Sequence, residues 1–357
     1  MTLLKHLTIK NFRGFDFLEI DGFSKINLFV GKNNSGKTSV LESIFLVIGM
    51  SNPILPNTIN QIRGLNTGSA QQLRYLFHNL SDGNIPSFTA KMSDSSERIL
   101  KLEAKYRQAE SINNPSSTSS PELIGIDLNF REIKGNKMSP SHKSSLIFGN
   151  DMFGNNVINT GISRDYNEKF HAVLVVADKN QNDLVILARL SEMIKRKEEI
   201  AILEILQKFD ENILDIKTLP DGVFFDLKNV GELVPINIMG DGIRRFLNIV
   251  TSLYEKKDLF ICIDEIENGL HYSAYRLLWK SLLSFSNINN VQLFITTHNI
   301  ETLTCLKSVL EEEQFASMQE YCKAFAISRT VNAGHKSYRY SFEGFKDAID
   351  HEAEIRN

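Results

Sequence analysis

Eight residues, Gly31-Lys32-Asn33-Asn34-Ser35-Gly36-Lys37-Thr38, constrain this chain more than any other feature. They follow the apolar run Ile26-Asn27-Leu28-Phe29-Val30 and precede KTSVLESIFLVIGM (37–50), long and apolar enough for a buried helix. The pattern GxxxxGK[ST] between a strand and a helix turns backbone N–H groups inward around phosphate oxygens, because its glycines permit the tight turn. The helix that follows directs its positive end at the same anion. In that geometry Lys37 neutralises the β- and γ-phosphates and Thr38 offers its hydroxyl to Mg²⁺. Gly31 through Thr38, with Ser39 behind them, form the candidate cradle.

Two later apolar runs end in reactive groups. Leu259-Phe260-Ile261-Cys262-Ile263 runs into Asp264-Glu265. The first acid suits the Mg²⁺ water shell, and the second suits polarising an attacking water. An apolar strand ending in Asp-Glu is common alone; beside a phosphate loop it acquires a task. Val291-Gln292-Leu293-Phe294-Ile295-Thr296-Thr297 ends at His298. A single histidine at a strand end is ordinarily a surface residue. In a parallel sheet, where ligands gather at the carboxyl edges, His298 reads better as a γ-phosphate sensor.

Between these ends the period changes. Leu100, Leu102, Ala104 and Tyr106 alternate with Lys101, Glu103, Lys105 and Arg107, and Ile124, Ile126, Leu128 and Phe130 alternate with polar residues or glycine. One wet face per strand predicts antiparallel pairing. Residues 51–70, with Pro53, Pro56, Gly64 and Gly68, read as an irregular connection, and 111–121 and 135–168 as polar surface stretches. The first strand falls on Leu7 and Ile9, Ala172–Ala177 reads as a more buried strand, and 183–209 has helical spacing. A hairpin over 213–229 turns at Pro220-Asp221-Gly222. Beyond 238 the pattern predicts helices at 242–255, 272–285 and 300–312, with strands at 259–263 and 291–296 between them; strands at 322–328 and 337–342 and a helix near 343–355 follow. The expected division is 1–85, an N-terminal part of an α/β head; 86–235, a β and helical insertion; and 236–357, the C-terminal part of the head.

Forty Lys and Arg against 43 Asp and Glu give a formal charge of −3, which argues against coating nucleic acid or a membrane by bulk charge. Any DNA contact must come from a local groove. The dense basic run Lys195-Arg196-Lys197 is flanked by Glu192, Glu198 and Glu199 and reads as a solvated helix face. Cys262, Cys305 and Cys322 make neither a CxxC pair nor a zinc spacing, which suits reduced thiols in a cytosol. MTLLKHLTIKNFRGF lacks a continuous apolar core and no apolar stretch approaches bilayer length, so a cytoplasmic protein outside the membrane is expected.

The order of these motifs, with Met239-Gly240-Asp241-Gly242 and Glu267-Asn268-Gly269-Leu270-His271, resembles an ABC-type ATPase head. More narrowly it is similar to the OLD-like and RecF/SMC-like branch, to which Asn11-Phe12-Arg13-Gly14-Phe15 also points. The resemblance covers about 1–50 and 236–300. It implies a P-loop NTPase of α/β class, an ABC-ATPase-like head carrying an antiparallel β subdomain and a helical/β insertion. It further implies ATP and Mg²⁺ as cofactors, with Lys37, Glu265 and His298 catalytic and Thr38 and Asp264 on the metal. Gly240, Asp241 and Gly242 would cap the γ-phosphate of a partner head through backbone N–H groups and the helix dipole. Asn268 and Gly269 would meet that partner. Arg13 would reach the phosphates or stand as a surface arginine.

Several positions depart from the family pattern. Ile238 and Met239 occupy the region where the signature carries serine, which leaves the trans contact to backbone alone. The Mg²⁺-sensing glutamine is one of Gln61, Gln71 and Gln72, or none of them. Residues 86–235 hold no heptad arms, and about 59 residues follow His298, too few for the Toprim nuclease of OLD proteins. The expected role is therefore an ATP-hydrolysing dimer or higher homo-oligomer, the sensor ATPase of an anti-phage defence system acting with a separate nuclease or toxin effector. Two other readings compete: a RecF-like DNA-repair or DNA-binding clamp, and a nucleotide-gated scaffold with negligible turnover.

Overall fold

The computed structural model describes residues 2–65, 68–107, 121–135, 137–151, 156–176, 183–255, 259–330 and 334–351. Its centre is a six-stranded sheet in the order His171–Val175, Leu259–Ile263, Gln292–Thr296, Ile26–Val30, Cys322–Thr330, Gly334–Tyr340. The first five strands run parallel, and the last returns antiparallel from its neighbour. Parallel strands need crossovers that cover both faces, and the three central strands are accordingly buried at every residue. Their alternate side chains enter two different cores. Leu28, Val30, Ile261, Ile263, Leu293 and Ile295 pack with the helices Asp241–Ser252, Tyr275–Asn289 and Ile300–Leu310. Phe29, Phe260, Cys262 and Phe294 point the other way, toward the helix Lys37–Ile48 and a second sheet.

That second sheet is antiparallel and eight-stranded. It runs Phe15–Asp21, Leu4–Phe12, Ser87–Met92, Ser96–Arg107, Glu122–Lys134, His142–Asn150, Asn156–Gly161, with Lys137–Met138 beside Glu122–Lys134. The expected boundary at 85/86 thus runs inside one sheet, and His171–Val175, from the expected insertion, forms the edge of the parallel sheet. The helix Lys37–Ile48 lies between the sheets, which explains why its sequence is apolar on nearly every side. Arg98, fully buried on the antiparallel sheet, donates to Val47 O and Ile48 O and so caps that helix at its C-terminus.

Several local expectations need correction. The stretch 51–70 contains a helix, Leu55–Ile62, opened by Pro56, where a missing N–H costs nothing. The polar stretch 135–168 supplies two strands, His142–Asn150 and Asn156–Gly161, whose partners are themselves half-wet. The helical run 183–209 is two helices, Asp183–Lys195 and Glu199–Phe209, parted where Lys197 takes φ 58°. The alternation around Ile124 slips at a bulge opposite Lys105 and Tyr106, so Leu123 is buried in its place. Residues 111–120 of the expected loop, Ala177, and 352–355 of the expected last helix lie outside the described residues. The hairpin does turn at Pro220-Asp221, with Leu219 paired to Gly222. Among the described residues no helix is long and apolar enough to cross a membrane.

Candidate functional site

Where the parallel strands end, a cavity of about 630 Å³ opens, lined by the phosphate loop, the Asp264–Glu265 pair and Thr296, together with Arg13, Arg63, Arg329 and His335. Sheet order decides this grouping: the strand before the loop pairs directly with Gln292–Thr296, which pairs with Leu259–Ile263. Residues more than 220 positions apart therefore meet at one edge. Gly36 opens the helix with φ 96°, and Phe15 presses so close that an added Cβ would stand 2.4 Å from its ring, so only glycine fits.

Lys37 folds back over the loop, its Nζ donating to Gly31 O and Lys32 O at 2.9 Å each. Burial pulls its pKa below the ordinary lysine value, opposed by the charges of Asp264, Glu265 and Glu267. Thr38 Oγ1 donates to Asp264, 3.0 Å from both carboxylate oxygens. The Thr296 hydroxyl donates to Asp264 Oδ1 at 2.6 Å and accepts the Glu265 N–H at 2.7 Å. Glu265 itself has φ 44°, a conformation that costs a non-glycine residue about 1–3 kcal/mol. Its carbonyl is gripped by Arg245, which also donates to Asp264 O and Val176 O. Burial lowers the Arg245 pKa to about 10, with Asp264, Glu267 and Glu265 pulling upward. Arg245 lies one turn inside the helix Asp241–Ser252, so the Gly240–Gly242 segment is tied through it to the acids.

Thr38 and Asp264 bring hard oxygen donors together beside Lys37, and Ser35 Oγ is buried in the loop without a hydrogen-bond partner. That donor set suits a Mg²⁺ shared with phosphate oxygens, the usual way this ion is held. Among the described residues no group of three or more His, Cys, Asp or Glu gathers into a protein-only cage.

The remaining expected residues fall in three places. Arg13 lines the cavity, but its guanidinium is bound bidentately by Glu42 at 2.6 and 3.1 Å. His298 is held by Glu267 and is not among the residues that line the cavity. Gly240, Asp241 and Gly242 do not line the cavity; Asp241 and Gly242 lie against Gly269, where a Gly242 Cβ would come within 3.2 Å of Gly269 O, while a Cβ at Gly240 would meet nothing within 4 Å. Next to them Ile238 is 74% exposed. None of Gln61, Gln71 and Gln72 lines the cavity, and Arg63, absent from the sequence reading, occupies that wall. Arg63 shares the fully buried Glu42 with Arg13 and also donates to Ser39 Oγ. Neither Arg63 nor Glu42, Arg245, Thr296, Arg329 or His335 carries a local motif; only the fold gathers them.

This fold, with its phosphate loop facing an Asp-Glu strand and a histidine strand, is that of an ABC-type P-loop ATPase head. Residues 26–304 match the family described as "AAA domain, putative AbiEii toxin, Type IV TA system", and the chain belongs to that family. A Helicobacter pylori protein named "ATP/GTP phosphatase" is 26% identical over 374 residues, covering 96% of this chain and 99% of its own. The DNA replication and repair protein RecF of Lactobacillus acidophilus is 46% identical over 44 residues, 12% of each chain. In fold the chain is similar to an SMC head bound to the C-winged helix domain of ScpA, with a TM-score of 0.50 and 13% identity over 95% of this chain and 98% of that one.

Proposed function

We propose that the chain hydrolyses ATP, and by the same chemistry GTP, as a nucleotide-switched dimer. The observation that carries this is the contact network Thr38–Asp264–Thr296–Glu265 beside Lys37 at one cavity edge. Lys37 exchanges its two carbonyl contacts for phosphate oxygens, and the loop N–H groups with Ser35 hold the anion. Thr38 and Asp264 would hold a Mg²⁺, which would supply neutralising charge to the phosphates. Glu265 orients a water in line with the γ-phosphorus and takes its proton as the new P–O bond forms, while the bond to the β-bridging oxygen breaks. His298 steadies the γ-phosphate oxygens, and Arg13 and Arg63 add positive charge to the wall.

Gly240, Asp241 and Gly242 do not line the cavity of their own phosphate loop, which supports their use on the nucleotide of a second head. The exposed Ile238 beside them supports the same closure. The name of the Helicobacter pylori relative supports phosphatase action on both purine nucleotides. The family description, with its toxin and toxin–antitoxin wording, supports a place in a defence or toxin–antitoxin system; the separate effector rests on the sequence resemblance alone.

Phosphate release by wild type and Glu265→Gln tests the enzyme. A fall of at least about 100-fold in the variant is expected; equal, near-zero rates in both would leave a scaffold. Light scattering of Glu265→Gln with ATP should show a larger species, and an unchanged mass would sink the dimer. The partial RecF match favours a second reading, a DNA clamp. Duplex binding that weakens steeply with salt would select it.

A further inference from the structure

The cavity has two chemically different ends, and sheet order separates them. On one side of Ile26–Val30 lie the strands that deliver Thr296, Asp264 and Glu265; on the other lies Cys322–Thr330, which returns through Gly334–Tyr340. Arg329 and His335 are paired across that hairpin and line the end away from the acids. Hydrolysis requires the γ-phosphate at Glu265 and Lys37, so the nucleoside must extend toward the hairpin. There the His335 ring meets Phe15 edge to face, with centroids 4.7 Å apart and planes at 86°. Phe15 in turn lies against Gly36 of the phosphate loop. An aromatic column thus rises from the loop to a half-buried imidazole at the cavity wall. Burial, with Arg329 and His78 nearby, lowers the His335 pKa and so favours the neutral ring.

We propose that His335 and Arg329 form the nucleoside subsite, the imidazole stacking on a purine ring and the guanidinium facing the ribose or α-phosphate. Stacking reads the face of a base and not its hydrogen-bonding edge, so adenine and guanine are taken alike. The assignment rests on the phosphate-site reading above and names the other half of the same ligand.

Titration calorimetry with Mg²⁺ and ATP, GTP or tripolyphosphate tests it on wild type, His335→Ala, His335→Phe and Lys37→Ala, each checked for a native melting transition. His335→Ala should weaken ATP and GTP about tenfold and leave tripolyphosphate unchanged. His335→Phe should restore most of the loss. Unaltered ATP and GTP binding by His335→Ala, or an equal loss of tripolyphosphate, overturns the subsite. If Lys37→Ala still weakens all three probes in that case, the phosphate site stands and only the nucleoside subsite falls. Wild type that binds none of them, or binds no better than Lys37→Ala, overturns both.

Discussion

One carboxylate oxygen of Glu267 holds His298 twice: it accepts the main-chain N–H of His298 at 3.0 Å and lies 3.0 Å from its Nδ1. Glu267 is nearly buried while the imidazole is half exposed, so the acid acts as a fixed post for the ring. A partner at Nδ1 fixes the tautomer and the orientation of the ring that is proposed to meet the γ-phosphate. Glu267→Ala should lower kcat about 10- to 100-fold with KM changed less than about threefold. Glu267→Gln, which keeps an acceptor, should retain most activity. A rise in KM at constant kcat would make Glu267 a binding residue.

Arg245 supports the strained turn at Glu265 from behind. Its guanidinium serves three carbonyls, Val176 O, Asp264 O and Glu265 O, the last of which also accepts the Asn268 N–H at 2.9 Å. Arg245→Met should lose about 2–4 kcal/mol in chemical denaturation. Turnover per folded molecule should fall as well, because Glu265 loses the hold on its backbone. Full turnover in a destabilised variant would confine Arg245 to stability.

Glu42 sits wholly buried between Arg13 and Arg63. Glu42→Ala leaves two guanidiniums facing one another under the loop and should cost about 3–5 kcal/mol. Since both arginines border the cavity, added ATP should raise the melting temperature of the variant more than that of wild type. Equal shifts would remove the arginines from the anion's surroundings.

Asp127, on the antiparallel sheet, is contacted by Lys143 at 2.7 Å, Ser145 Oγ at 2.6 Å and Lys105 at 3.4 Å. Burial pushes its pKa up, but the hydrogen bonds from Lys143 and Ser145 and the lysine charges outweigh it and bring the value below 3.8. Between the folded value and 3.8 the unfolded chain binds more protons, so stability rises with pH through that window. Asp127→Asn should be about 1 kcal/mol less stable than wild type at neutral pH. Denaturant midpoints measured against pH should show this gap closing as pH falls through the window. A gap independent of pH would mean that the carboxylate charge contributes nothing.

Local pattern was enough for the phosphate loop, Asp264, Glu265 and the strand ending at His298, because each is a contiguous run whose chemistry and secondary structure are written together. The parallel strands at 26–30 and 259–263 were legible for the same reason. The helix Leu55–Ile62 was not, since Pro56 marks a break and a first turn equally well. An unbroken apolar strand such as Leu259–Ile263 announces burial without saying which core takes Ile261 and which takes Phe260; two layers packed on opposite faces decide that. The same limit hid Arg63, Glu42, Arg245 and His335. Each is an isolated polar residue in its own segment and acquires meaning only against a partner tens to hundreds of residues away. The sequence by itself determined the phosphate-loop pattern, the Asp264-Glu265 strand end and the α/β class. Tertiary structure alone decided which arginines line the cavity, what holds Glu265 and His298 in place, and which residues stand at the end away from the acids. Strand order, a long-range property paid for by no local motif, sets all three.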